Sequence, residues 1–144
     1  MNISSLYSSM NLPKKAEAYL KLFITKHPDD PSANYNYGLI LSENKKYEQS
    51  LKHLLIASQS MPYNSRVDIN ISELYKYFGN PENQEKYLQI AVDKNSNQIE
   101  NHIYLLNFYI NQGNSVKIRA KAKTIIELFP DNQESQTLKA RIQF

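Results

Sequence analysis

The 144-residue chain has no cysteine and no tryptophan, only three glycines, and no long apolar run. Without cysteine there are neither disulfides nor thiolate metal sites. Without a sustained apolar stretch no segment is expected to cross a bilayer as a helix. The opening residues, MNISSLYSSMN, have neither a basic start nor an apolar stretch of roughly 7–15 residues, so no secretory leader is expected and a cytoplasmic protein is the default. Glycine is confined to Gly38, Gly79 and Gly113, which leaves no glycine-rich phosphate loop, and no serine stands in a G-x-S-x-G elbow. The three histidines, His27, His53 and His102, are too far apart to place two imidazoles on one helical face for a metal. Asp29 and Asp30 are the only adjacent carboxylates, and helix capping accounts for them. No catalytic residue, cofactor or metal is expected.

Charge is also scarce. The net +3 is small, and the basic residues are dispersed as Lys14–Lys15, Lys45–Lys46 and the alternating Lys117, Arg119, Lys121 and Lys123. On a helix the last four fall into two pairs pointing in different directions. They read as a solvated outer face, and nucleic acid is not expected as a partner. Tyrosine (11) outnumbers phenylalanine (5). An amphipathic side chain in that abundance suits a protein with a thin core and a large surface.

What the chain does have is a period. From Pro31 to Asn64 runs a stretch of 34 residues, PSANYNYGLILSENKKYEQSLKHLLIASQSMPYN. It has Tyr37, Gly38 and Leu41 at places 7, 8 and 11, then Ser50, Leu54, Ala57 and Pro62 at places 20, 24, 27 and 32. Moving on by 34 residues puts Ile71, Ser72, Tyr75, Leu88 and Ala91 at places 7, 8, 11, 24 and 27. A second step puts Leu105, Tyr109, Ala122 and Pro130 at places 7, 11, 24 and 32. Stepping back gives Ile3, Ser4, Tyr7, Ala16, Leu20 and Pro28. Four frames follow one register without an insertion.

This pattern resembles the tetratricopeptide repeat, whose period is 34 residues and whose unit is a helix–turn–helix. The resemblance implies an all-α solenoid of antiparallel helix pairs, about nine helices in all. It divides a single domain, 1–144, into repeats 1–30, 31–64, 65–98 and 99–132, with a capping helix over 133–144. Two frames depart from the pattern. Gln84 takes a small-residue place and Ser96 replaces the proline, while Leu106, Ile118 and Ile125 are bulky where the family is small. The smaller Ala122 offsets the latter set, and the spacing of that last helix pair is the least determined.

Local signals place the helices at 2–10, 14–27, 31–43, 47–60, 66–78, 81–94, 98–112 and about 116–129. Asp30 before Pro31, and Asn80 before Pro81, are cap and first-turn pairs. Ser65 is expected to cap the fifth helix, with Ser115 just before the eighth. Gly79 and Gly113 stop the helices before them. In the final segment Leu138, Ile142 and Phe144 either cover the last pair or meet a second copy of the chain.

By the same resemblance, the first helix of each repeat lines a concave face through places near 2, 5, 6, 9, 12 and 13. The implied peptide-binding residues are Tyr35, Asn36 and Leu39, then Arg66, Ile69, Asn70, Glu73 and Tyr77, then Ile103, Tyr104, Asn107 and Ile110. Asparagine recurs at place 6 as Asn2, Asn36 and Asn70, and a row of carboxamides can hold a peptide backbone whatever its side chains. Each such bond nets about 1 kcal/mol, whereas a micromolar complex needs about 8 kcal/mol, so apolar contacts must supply most of the affinity. Too few cations stand at the places where chaperone-binding members clamp a terminal carboxylate, and no such clamp is expected. The reading is a non-catalytic adaptor or scaffold that binds a peptide segment or helix of a protein partner. The alternatives are a structural or self-associating module, with the C-terminal helix as the homo-oligomer contact, or the repeat arm of a larger enzyme or assembly. No membrane partner is expected.

Overall fold

Proline at the first helical position, polar caps and regularly spaced apolar residues produce a run of helices joined by tight turns. The computed structural model describes residues 13–141. Among these are eight helices and no strand: α1 (Pro13–Lys26), α2 (Pro31–Glu43), α3 (Tyr47–Ser60), α4 (Ser65–Tyr77), α5 (Pro81–Lys94), α6 (Ile99–Asn111), α7 (Ser115–Leu128) and α8 (Gln133–Arg141). The helix expected over 2–10 lies outside the described residues, as do Asn2, Ile142 and Phe144. The chain is an all-α solenoid in which each helix packs on the next, with α2/α3, α4/α5 and α6/α7 as its hairpins.

The turns inside the hairpins share one geometry. Residues 45, 79 and 113 all occupy place 15 and all have positive φ, at 60°, 65° and 66°. The residue after each donates its N–H five residues back, Lys46 to Leu41, Asn80 to Tyr75 and Asn114 to Tyr109, at 2.8, 2.9 and 3.1 Å. This is the Schellman closure, which satisfies orphan carbonyls at a helix C-terminus and needs a left-handed residue. Glycine supplies that residue twice. Lys45 supplies it in the first hairpin.

Caps differ from turn to turn. Asp30 accepts from the Ala33 N–H at 2.7 Å, Asn80 from that of Asn83 at 3.0 Å and Asn114 from that of Lys117 at 3.0 Å. Two expectations are corrected here. Ser65 is the first residue of α4, not its cap, and its hydroxyl donates to Gln98 Oε1 at 3.3 Å instead. Ser115 is likewise the first residue of α7, because the side chain of Asn114 reaches the free N–H first.

The core follows the hairpins. Ala16, Leu20, Tyr37 and Leu41 bury the contact of α1 with α2, and Phe23 and Ile24 pack against them. Leu54, Ala57, Val67 and Ile71 do the same between α3 and α4, and Leu88, Val92, Leu105 and Phe108 between α5 and α6. A Cβ on Gly38 would lie 2.7 Å from Leu54 Cγ, so glycine there sets the approach of α2 to α3. In the last hairpin the equivalent residue is Leu106, and α6 and α7 pack less closely along their backbones than the two preceding pairs. Leu138 of α8 packs on the cluster of Ile99, Leu106, Ala122 and Ile125. That contact covers apolar surface of the α6/α7 hairpin that would otherwise face water.

Candidate functional site

The first helices of successive hairpins, α2, α4 and α6, lie side by side and turn their remaining side chains to one face. Asn70 Nδ2 donates to Tyr35 Oη at 3.4 Å, a bond that joins α4 to α2 across this face. Two hollows open along α4.

The first, about 260 Å³, lies where α2, α3 and α4 meet. Leu39, Leu54, Leu74 and the rings of Tyr47 and Tyr77 line it, with Ser42, Asn70 and Glu73 as its polar groups. Tyr47 and Tyr77 pack at a centroid distance of 4.2 Å, yet Tyr77 keeps 64 % of its surface exposed. An exposed ring held by its neighbour loses little entropy on binding, which suits a contact surface.

A second hollow, larger at about 460 Å³, lies between the starts of α4 and α6. Arg66 and Ile69 come from α4, and Glu100, Asn101 and Tyr104 from α6. The turns before these helices add Tyr63, Asn64, Asn95 and Gln98. Ile69, only 4 % exposed, belongs to its floor.

Of the twelve residues implied by the repeat pattern, Leu39, Asn70, Glu73 and Tyr77 meet in the first hollow, and Arg66, Ile69 and Tyr104 in the second. Tyr35 is half-buried against the α3/α4 cluster and Ile103 against the α6/α7 cluster. Asn36 is half-buried, while Asn107 and Ile110 are exposed, and these three line neither hollow. The pattern does not point to Tyr63, Asn95, Gln98 or Asn101, because it reads only the outward places of first helices and these residues come from turns or from a buried place. The one signal available was the run of amides Asn95, Asn97, Gln98 and Asn101.

Behind this face lies a row of buried polar side chains at place 4. Asn34 donates to the carbonyls of Pro28 and Asp30 at 2.7 and 2.8 Å, and its Oδ1 lies 2.8 Å from His53 Nδ1. One repeat on, Asp68 accepts from Ser58 Oγ and faces Lys94. A further repeat on, His102 Nε2 lies 2.9 Å from the Ser96 carbonyl, and its Nδ1 is buried without a hydrogen bond. Burial, reinforced by Lys121, pushes the His102 imidazole below its ordinary pKa, and the bond to Ser96 opposes that. Burial does the same to His53, with Lys52 adding to it. Both rings are committed to packing.

At the opposite end of the last hairpins, Tyr109 Oη donates to Glu85 Oε1 at 3.0 Å, and Lys117 closes on the same carboxylate at 2.5 Å. Burial, with the neighbouring Glu85 carboxylate, pushes the Tyr109 phenol up to about 12. The group is a neutral strut between α5, α6 and α7. Among the described residues no three histidine or acidic side chains converge to hold a metal.

A tetratricopeptide-repeat model matches residues 19–52. No curated protein matches the chain. Solved structures do. The MamA RS-1 ArsTM double mutant is 18 % identical over 88 % of this chain and 71 % of its own, with a TM-score of 0.75. PilF of Pseudomonas aeruginosa is 23 % identical over 96 % of this chain and 64 % of its own, with a TM-score of 0.75. YrrB, described as a TPR protein with an unusual peptide-binding site, is 18 % identical over 96 % of this chain and 73 % of its own, with a TM-score of 0.73. At these identities the likeness is one of fold.

Proposed function

We propose, from the premise that this chain is a tetratricopeptide-repeat protein, that it is a non-catalytic adaptor binding an extended segment of another protein along the face of α2, α4 and α6. The observation that carries this reading is the hollow of about 260 Å³ lined by Leu39, Tyr47, Leu74 and the exposed Tyr77. Burying one leucine-sized side chain there contributes about 1.5–3 kcal/mol. A micromolar complex needs about 8 kcal/mol beyond the cost of association, so several such anchors along the face would have to act together.

Asn70 supports the reading with a qualification. Its Nδ2 is engaged with Tyr35 at a long 3.4 Å, so a peptide carbonyl has to displace a weak bond. Among the described residues Asn36 makes no hydrogen bond to another side chain, so the proposed row has one rung without a partner there and one lightly held one. Self-association through the C-terminal helix is the weaker reading, because Leu138 is already packed within its own chain.

The test is the double variant Asn70→Ala with Tyr77→Ala. Both side chains are at least partly exposed, so helical content by circular dichroism should be unchanged. Partners recovered by affinity capture with the unaltered chain should be lost with the variant. An identical set of partners would count against this face.

A further inference from the structure

We infer that His102 is a proton-operated latch, which holds the end of the α6/α7 hairpin closed at neutral pH and releases it in mild acid. The inference starts from a bond that recurs by register. Asn34 and His102 both occupy place 4, and each donates to the carbonyl six residues back, in the turn that precedes its own helix. Asn34 Nδ2 reaches Pro28 at 2.7 Å and His102 Nε2 reaches Ser96 at 2.9 Å. Both bonds tie the turn to the start of the helix. Between them, at place 4 of α4, the Asp68 carboxylate pairs with Lys94 instead. Only the His102 tie is made by a group that takes up a proton near neutrality.

The position of the proton matters. A carbonyl only accepts, so Nε2 carries the hydrogen and Nδ1 is left as a bare lone pair. His102 is 2 % exposed, and among the described residues nothing bonds to its Nδ1, which is sealed from solvent. A proton arriving there makes a charged donor with no acceptor, a state the ring escapes by moving Nδ1 into water. Its surroundings add to that pressure. From α7 the half-buried Lys121 ammonium acts on the ring directly, and from α5 the Asp93 carboxylate acts on Lys121. The Phe129 ring packs edge to face at 5.4 Å, and the Ser96 carbonyl is neutral.

His53 lacks this arrangement. Its Nδ1 already faces an acceptor, Asn34 Oδ1 at 2.8 Å, and its Nε2 is not sealed from solvent, so the ring takes up a proton without leaving its place.

Release has two consequences. Phe129 follows the last residue of α7, so a displaced imidazole frees that end of the helix from α6. The turn at 95–98 also loses a tie to α6, keeping the side-chain bond from Asn101 to the Asn95 carbonyl. Asn95 and Gln98 of that turn line the larger hollow, so the latch also governs the wall of that hollow.

The experiment is amide hydrogen exchange of the full chain, followed by NMR and corrected for the intrinsic pH dependence of exchange, together with spectra of the imidazole nitrogens. With the ordinary histidine pKa of about 6.5 in the opened form, the open fraction rises up to about thirtyfold between about pH 7.5 and pH 5. Protection of residues 99–106 should therefore fall at least about tenfold, and that of residues 33–41 much less. The His102 ring should carry its hydrogen on Nε2 at neutral pH and titrate together with the loss of protection. His102→Asn keeps a donor for Ser96, as Asn34 does for Pro28, and should hold the protection of 99–106 within about twofold over the same range. Hydrogen on Nδ1 at neutral pH, unchanged protection, an equal loss in α2, or an equal loss in His102→Asn would each overturn the assignment. Should the variant fail to fold, the tautomer and the comparison of the two regions in the unaltered chain decide it alone.

Discussion

Asp68 and Lys94 form an ion pair at 2.8 Å in which the carboxylate is wholly withdrawn from solvent and the ammonium nearly so. The same ammonium donates to the Ser58 carbonyl at 3.0 Å, and Ser58 Oγ donates to the other carboxylate oxygen. Three helices, α3, α4 and α5, thus share one polar knot.

Breaking that knot from one side should be costly. Lys94→Met leaves a buried carboxylate without its counter-charge, a loss of about 3 kcal/mol. Adding Asp68→Asn, which keeps a partner for Ser58, should restore more than half of it. Urea unfolding of the two single variants and the double variant measures the coupling, and additive losses would show that the pair contributes nothing of its own.

Gly38 tests the close approach of α2 and α3. Helix propensity alone makes Gly38→Ala stabilising by about 1 kcal/mol. A Cβ placed 2.7 Å from Leu54 Cγ and 2.8 Å from Cδ2 makes it destabilising, because the side chain that must give way is 1 % exposed. The overpacking cost of about 1–3 kcal/mol should win. A rise in the urea midpoint would mean that Leu54 yields freely.

Lys45 stands where the next two hairpins have glycine. Its φ of 60° costs a side-chain-bearing residue about 1–2 kcal/mol, part of which glycine gives back through its freer unfolded chain. Lys45→Gly should therefore raise stability by about 0.5–1 kcal/mol. The mirrored change, Gly113→Ala, should lower it, since the strain there is backbone strain and no neighbour lies within 4 Å. Thermal unfolding of both variants checks the opposite signs.

Acid should loosen the stack through its histidines. For His102 and His53 burial lowers the folded pKa below the ordinary 6.5, so in mildly acidic solution the unfolded chain binds more protons than the folded one. Their contribution is fully present above pH 6.5 and declines as the pH falls through the folded values, by at most about 1.4 kcal/mol per pH unit for each ring. His102→Phe should flatten the slope of stability against pH between neutrality and mild acid. An unchanged slope would show that the ring is not held neutral.

Much of the architecture was legible because it depends on spacing. Pro31 and Pro81 sit at helix starts, Gly79 and Gly113 at helix ends, and large and small residues alternate at fixed places. These are local preferences, and each acts within a turn or two of itself. The misreading of Ser65 was local in kind. A serine before an apolar run is a good cap, but here its hydroxyl found Gln98, 33 residues away, and no local rule sees that bond. The candidate face was legible only in part. Ile103 stands at an outward place by counting, but it is partly buried against the cluster of Ile99, Leu106, Ala122 and Ile125.

The sequence by itself determined the period, the solenoid class and the positions of the turns, because a 34-residue recurrence of side-chain sizes admits one way of burying successive helical faces. Tertiary structure decided which polar groups were left over. Asparagine is the same residue at Asn34, Asn70, Asn95 and Asn101, and what it offers a partner depends on which of its hydrogens are already given away, to carbonyls at Asn34, Asn95 and Asn101 and to the Tyr35 hydroxyl at Asn70. That allocation is fixed only when the helices have packed, since hydrogen bonding is exclusive at short range while a repeat pattern records only size and spacing.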